Sequence, residues 1–301
     1  MTKSRDHRAT AAFLLREFGA DKFADPAYLS WYYDANPDGQ AICGERDDDS
    51  GRLASYALVP QRWRRGDERA LLGITVDACV RAGAQRGGVF RALALEVFDT
   101  SLAAGVEGTL TIANANSTPA FVEKLGLRFL GGLPVTAVAP LARPRGVTRV
   151  AVDESAIVDL AADCSARTTP GWVHDWTADS LRWRFASPIR EYVVHRSDQV
   201  WCVSTKSGIG RIPAAVVVAL VPRSGRRDVS AGAVIAAACR HHRAPIAIHA
   251  GVNRDVRVRG VPVPRRLLPS PLNLLALGFG DRATNSITDV GVYEFLDTDH
   301  Y

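Results

Sequence analysis

Apolar residues recur along this chain at two spacings, one helical and one strand-like, and the two alternate in a mixed order. Thr10 to Phe18 carries apolar residues at helical spacing and stops at Gly19, a suitable C-cap. Asp25-Pro-Ala-Tyr-Leu-Ser-Trp-Tyr-Tyr33 reads as a second short helix, with Asp25 as its cap and Pro26 at its first position. Asp47-Asp-Asp-Ser-Gly51 predicts a hairpin turn between strands at about 40–46 and 52–60, and Arg65-Gly-Asp-Glu68 predicts another. Ala70 to Val80 is the most strand-like stretch of the first half, and the basic, glycine-rich loop Arg81–Gly88 follows it. From Val89 to Ala104, Phe90, Leu93, Ala94, Val97 and Phe98 share one helical face, and Gly105 ends the pattern. Thr109-Leu-Thr-Ile112 reads as a strand and Asn116 to Gly126 as a capped helix. Strands and helices in this order predict a mixed α/β domain.

Ala139-Pro-Leu-Ala-Arg-Pro-Arg-Gly146 has two prolines, a glycine and no periodicity, so it reads as a linker near mid-chain. Each half then opens on a related segment. Leu29-Ser-Trp-Tyr-Tyr-Asp-Ala-Asn-Pro37 matches Leu181-Arg-Trp-Arg-Phe-Ala-Ser-Pro188, about 152 residues later, and both precede strand-like runs. That interval is far too long for a solenoid repeat, and two copies of one domain is the natural reading. Two unrelated helices, each with a tryptophan in its core, is the alternative. The expected division is 1–140, a linker at 141–146, and 147–301. In the second half, 211–221 reads as a strand and Val229 to His241 as a helix.

Length agrees, since 301 residues allow two domains. The longest apolar run, Ala214 to Val221, suits a buried strand and falls far short of the ~20 residues that span a bilayer. The polar start of the chain has no apolar stretch of a secretory signal. Five scattered cysteines form no CxxC pair or metal-spaced cluster, so a reducing cytoplasm without structural zinc is expected. Residues 1–145 carry 18 basic and 17 acidic groups, and residues 146–301 carry 19 and 15. This mild bias predicts neither a nucleic-acid nor a membrane partner.

The informative chemistry lies in Gln85-Arg-Gly-Gly-Val-Phe90, between a strand and a helix start. Successive backbone N–H groups and the positive end of a helix dipole make an anion site there, and the glycines admit a phosphate closely. Arg86 and Arg91 are placed to add charge-assisted contacts. No GKS or GKT follows and no GxGxxG is present, which disfavours nucleoside triphosphates and NAD. An ordinary turn remains the alternative reading of this loop on its own.

With its surroundings the loop resembles the pyrophosphate-binding loop of the GNAT acyltransferases, Gln/Arg-x-x-Gly-x-Gly/Ala. Gln85 and Gly88 match, while Phe90 departs at the last position. Asn114-Ala-Asn-Ser-Thr-Pro-Ala-Phe-Val-Glu-Lys-Leu-Gly-Leu127 resembles the segment that follows it in that family, and the resemblance covers residues 25–138. It implies an α/β fold of two GNAT-like domains, each a mixed, largely antiparallel sheet flanked by helices, the second degenerate. It also implies acetyl-CoA or another acyl-CoA as co-substrate, no metal, and an amine of a small molecule as acceptor. Ala78, Cys79 and Val80 would border the pantetheine arm; Gln85, Arg86, Gly87, Gly88, Val89 and Phe90 would hold the pyrophosphate; Asn116 and Phe121 would face the pantetheine. Asp77 is the candidate base, with backbone bonding at a strand end as its alternative role. Tyr32 and Tyr33 would line the acceptor pocket, with core packing as the alternative. Cys79 has no histidine beside it in sequence and reads as a small apolar residue. The position where the family commonly has a tyrosine acid is Val122 here. N-acetyl transfer is therefore the expected activity, with a non-catalytic acyl-CoA-binding protein and a Fem-type transferase as alternatives. In the second half Pro222-Arg-Ser-Gly-Arg-Arg-Asp228 lacks the loop's register; His241 and His242 are adjacent and poorly placed to share one metal, and His174, His195 and His249 have no evident partner. The acidic end, Asp297 to Tyr301, is expected either to fold back towards the cleft or to fray.

Overall fold

The computed structural model describes residues 7–85, 87–209, 212–280 and 287–298. Helix α1 (Arg8–Phe18) buries Phe13 and Leu14 and ends where Gly19, at φ 63°, gives its N–H to Leu15 O. Helix α2 (Ala27–Leu29) starts under Asp25, whose Oδ1 accepts the Ala27 N–H. It runs on through Ser30–Asp34 as a wider turn closed by Ala35 N–H to Ser30 O at 3.2 Å, with Trp31, Tyr32 and Tyr33 buried. Wide turns of this kind are rare and concentrate at functional sites.

Strands β1 (Ile42–Asp48), β2 (Gly51–Arg65) and β3 (Glu68–Val80) form an antiparallel meander, and helix α3 (Val89–Ala103) crosses back to β4 (Gly108–Ala113), parallel to β3. Strands β5 (Arg128–Gly132) and β6 (Val135–Val138) complete the first half. The second half runs β7 (Thr148–Val150), α4 (Glu154–Ser165), β8 (Val173–His174), α5 (Ala178–Phe185), β9 (Val193–Arg196), β10 (Val200–Ile209) and β11 (Ile212–Pro222). It continues with β12 (Val229–Ser230), α6 (Gly232–His242), β13 (Ile246–Asn253), β14 (Val256–Arg257), β15 (Val261–Pro262), β16 (Asn273–Gly278) and β17 (Val292–Glu294).

These strands build two sheets of matching order. The first reads β1-β2-β3-β4-β16-β5 and the second β9-β10-β11-β13-β6-β15, with β7 beyond β9. In each, the long third strand pairs parallel with the next one, as expected of a strand–helix–strand crossover. The fifth place in each sheet is filled from the other half: β16 lies between β4 and β5, and β6 between β13 and β15. The irregular stretch 139–147 falls where a linker is expected, but these two strands cross that division. Leu274 and Leu275 of β16 are buried in the first sheet's cores, and Val135 and Val138 of β6 in the second's. Neither sheet is complete without the other half.

The repeated segments meet where the halves join. The Trp31 indole N–H donates to Trp183 O at 2.8 Å, and the Trp183 indole N–H donates to Trp31 O at 2.8 Å. The two rings stack with centroids 5.3 Å apart. The 152-residue interval read from the sequence is therefore the interval between two residues in reciprocal contact.

Two expected helices are shorter than their patterns. Asn114 Oδ1 accepts the N–H groups of Asn116 and Ser117, holding those residues in a turn, so the chain winds only over 118–125, with Ala120–Lys124 again a wide turn. Val229 and Ser230 pair with β14 instead of starting a helix, and α6 begins at Gly232. Of the acidic end, Asp297 and Thr298 are buried, and the remainder lies outside the described residues.

Trp183→Phe keeps a stackable ring but leaves the Trp31 carbonyl without its donor. A loss of about 1–2 kcal/mol in urea denaturation is expected. Trp31→Phe should behave alike, and the double variant should depart from additivity by more than about 0.5 kcal/mol. Additive effects would show that the two contacts do not act together.

Candidate functional site

Strands β3 and β4 pair over three registers, ending at Ile74 opposite Leu110, and then part into a wedge. The cause lies on the other edge of β3. Between Ala57↔Val76 and Ser55↔Cys79 the register slips, so Asp77 and Ala78 together oppose Tyr56 alone. Such a bulge bends its strand and sharpens its twist. Asp77 occupies the left-handed region at φ 52°, which aspartate tolerates better than most side chains. At the apex the Thr75 and Thr109 hydroxyls lie 2.9 Å apart, and Thr111 Oγ1 donates to Thr75 O at 3.1 Å. The wedge opens into a cleft of about 820 Å³. Thr75–Ala78 form one wall and Thr111–Asn114 with Ser117 the other; Phe18, residues 20–23 and, from the second half, Ile189, Arg190 and Ser270–Leu272 also border it.

Asp77 is a half-buried group on this cleft, and its Oδ2 accepts the Tyr33 hydroxyl at 2.7 Å. Burial, and then the Asp77 charge beside it, hold the Tyr33 phenol well above its ordinary range. Tyr33 therefore stays protonated and donates to the carboxylate. It does not border the cleft, whereas buried Tyr32 does. Burial also pushes the Cys79 thiol up to about 12, with the Glu17 and Asp77 charges adding to it, so Cys79 is a thiol with no nucleophilic character at neutral pH.

Gln85, Gly87 and Gly88 are exposed on the loop between β3 and α3; Arg86 lies outside the described residues. Gly88 caps α3 at φ 74°, a conformation that suits glycine. Val89 and Phe90 form the first helical turn, and Phe90 packs against Tyr56 and edge-on against Phe121 at 5.6 Å. The large residue at position 90 is thus a core contact. Ala78 and Phe121 border the cleft; Cys79 and Val80 carry β3 onward towards the loop. Asn116 is exposed and does not border the cleft, while its neighbours Asn114 and Ser117 do. An Asn-x-x-Ser turn signature marks Asn114 and Ser117 in the sequence. Nothing local marks Ile189, Arg190 or Ser270–Leu272.

The second sheet repeats the wedge and closes it. Strands β11 and β13 pair as far as Val217 opposite His249, and the register with β10 slips at Val218, the place that Asp77 takes in the first sheet. The gap is filled by β17, which pairs with β13 over residues 251–253. Gly251, at φ 138°, has no room for a Cβ against Tyr293 O, so a glycine is required for that approach. The Glu294 carboxylate accepts the Leu220 N–H at 3.1 Å, Asn253 Nδ2 at 3.2 Å and His249 Nε2 at 2.8 Å. The following turn is tied down by Asp297 Oδ1, 3.1 Å from both His174 Nδ1 and Trp176 Nε1. His249 and His174 thus serve as anchors of this segment. Arg227 faces Asp255 at 3.5 Å, and Arg223 faces Asp163. Among the described residues, no group of three or more His, Cys, Asp or Glu is placed to hold a metal ion. Nor is any described helix long and apolar enough to cross a membrane.

No family model and no curated protein matches the chain. Solved structures do. A GCN5-related N-acetyltransferase from Anabaena variabilis superposes with TM-score 0.62 at 12% identity, over 92% of this chain and 71% of that one. A conserved protein of unknown function from Enterococcus faecalis, a probable N-acyltransferase, gives TM-score 0.60 at 10% identity, over 90% and 70%. Eis1 from Mycobacterium abscessus gives 0.55 at 11%, over 91% and 72%.

His195 and His242 stand apart from the cleft, with the His241 ring 5.8 Å from the first and 5.0 Å from the second. Burial and then His241 push both down to about 4; Arg149 adds to this at His195 and Lys206 at His242, where Glu191 opposes it. Both are neutral in the folded chain near pH 7, while an unfolded histidine titrates near ~6.5. The unfolded chain therefore takes up protons first, and stability should be lost as pH falls from about 6.5 to about 4. His242→Gln should flatten part of that fall in melting temperature; an unchanged slope would remove His242 from it.

With two matching mixed α/β sheets, flanking helices and a wedge between parallel strands, the chain has the fold of the GCN5-related N-acetyltransferases.

Proposed function

We propose that this chain transfers an acyl group, acetyl foremost, from acyl-coenzyme A to the amine of a small molecule. The observation that carries the reading is the open wedge beside β3, with the Asp77 carboxylate at its bulge and a glycine-started helix at the end of the same strand. An extended ligand rich in amides needs backbone partners along such a wedge. The closed wedge supplies a template: Leu220, three residues past Val217 as Cys79 is past Val76, gives its N–H to a carboxylate oxygen. In the open wedge the Cys79 N–H would serve a ligand oxygen in the same way. The unpaired N–H groups at the start of α3, with the helix dipole, suit a pyrophosphate.

In the transfer, the amine nitrogen bonds to the thioester carbon, the C–S bond breaks, Asp77 takes the amine proton and coenzyme A leaves as its thiolate. Backbone N–H groups of the bulged strand polarise the carbonyl. Tyr33 donates to the carboxylate and so holds it aimed. No hydroxyl stands at Val122, which is 37% exposed. That absence favours the second reading, a protein that binds acyl-CoA without catalysis. Release of free thiol in a mixture of amines separates the two.

Acetyl-CoA at 100 times its dissociation constant should stabilise the chain by ~2.7 kcal/mol. Gly88→Glu, which sets a negative charge at the helix start, should erase that shift, and Gly88→Ala controls for backbone strain. A full shift in Gly88→Glu would remove the loop from the site. Asp77→Asn should lower turnover about 10²–10⁴-fold with donor binding intact. Tyr33→Phe should move the acid limb of the rate profile to higher pH, because the carboxylate loses a donor that favours its charged form. An unmoved limb would reduce Tyr33 to packing.

A further inference from the structure

Six aromatic rings run in sequence from the junction of the two halves to the cleft. Trp183 stacks on Trp31 at 5.3 Å, Trp31 on Tyr32 at 5.5 Å, Tyr32 on Tyr28 at 5.8 Å, Tyr28 meets Phe23 edge-on at 5.8 Å, and Phe23 meets Phe18 at 6.0 Å. The first five are buried, and Phe18, the last, is 47% exposed on the wall of the cleft. The open end of this ladder faces the same space as Asp77. Ile189 and Leu272, from the second half, line that space too.

Charge narrows the choice further. Among the described residues the cleft is bordered by two acidic side chains, Asp21 and Asp77, and two basic ones, Lys22 and Arg190. Lys22 lies over the Phe23 ring and donates to the Tyr28 hydroxyl at 3.1 Å, so a positive charge stands beside the ladder. A polyamine with several ammonium groups needs an excess of carboxylates, and with two acidic and two basic side chains the cleft has none. One amine on an aromatic body suits both features, a ring to continue the ladder at Phe18 and a nitrogen for Asp77 on the same cleft.

Building on the acyl-transfer reading, we infer that the acceptor is an arylalkyl monoamine, its ring seated against Phe18. The test uses the full chain with acetyl-CoA and reads thiol release from phenethylamine, butylamine and spermine. Phenethylamine should exceed butylamine in kcat/KM by about tenfold, the difference that ring burial supplies at ~25 cal/mol per Å². Spermine should be poorer still. Phe18→Ser should lower kcat/KM for phenethylamine by about fivefold to tenfold and shrink its lead over butylamine. Phe18→Asp should reverse the order of phenethylamine and spermine. Faster turnover of spermine by the unaltered chain, equal turnover of the two monoamines, or a Phe18→Ser chain that keeps the aromatic preference would each overturn the inference. So would an acetyl-CoA melting shift with no thiol release from any of the three. A chain with neither a melting shift nor thiol release would overturn the acyl-transfer reading itself, and the acceptor class with it.

Discussion

The two halves of this chain hold each other through a reciprocal contact, and the cleft depends on it. Trp31 and Trp183 each donate an indole N–H to the other's backbone carbonyl while their rings stack. Both bonds are buried, so each satisfies two groups that would otherwise be costly to leave unpaired. The exchanged strands β6 and β16 enforce the same arrangement from the sheets, since each carries core residues of the sheet it joins. The wide turn that bears Trp31 also bears Tyr32 and Tyr33, one at the cleft and the other on the Asp77 carboxylate. A disturbance of the junction is therefore a disturbance of the site.

The same wedge occurs twice with opposite outcomes, and side chains decide which. Both long strands bulge at the same place, beside Asp77 in one sheet and at Val218 in the other. A buried valine offers no acid–base chemistry, and the second gap is filled by the chain's own carboxylate, Glu294. An anionic side chain fixed on the Leu220 N–H, a histidine and an asparagine leaves no space for a ligand there. One half thus keeps the open geometry while its partner uses that geometry as a socket for the C-terminal segment. The closed half also contributes Ile189, Arg190 and Ser270–Leu272 to the cleft of the open one.

Much of this was legible in the sequence, for identifiable reasons. The meander, α3 and the parallel strand after it follow from hydrophobic period and glycine position, which are local signals. The tryptophan repeat announced two related halves because both copies bear the same packing duty. Strand exchange was not legible: β6 and β16 are ordinary apolar runs, and which sheet they join depends on contacts more than a hundred residues away. The bulge was hidden as well, since Asp77 adopts φ 52° without the glycine that usually signals it. Asn116 illustrates a near miss of the opposite kind. Its neighbours Asn114 and Ser117 close the turn and border the cleft, while Asn116 itself is exposed and does not border it.

In the proposed transfer the two proton movements make unequal demands. An alkyl amine with a pKa near ~10.4 is some three units from its reactive form at pH 7, a deficit of about 4–5 kcal/mol at ~1.36 kcal/mol per unit. A leaving thiol near ~8.5 is only about 1.5 units from the thiolate, a deficit of about 2 kcal/mol. Removing a proton from the incoming amine is thus the larger demand, and protonating the departing sulfur the smaller. In the proposed transfer the Asp77 carboxylate at the bulge, with the buried Tyr33 donor on it, would act on the larger one. With valine at position 122, the smaller one would fall to solvent, at a cost a thiolate can bear.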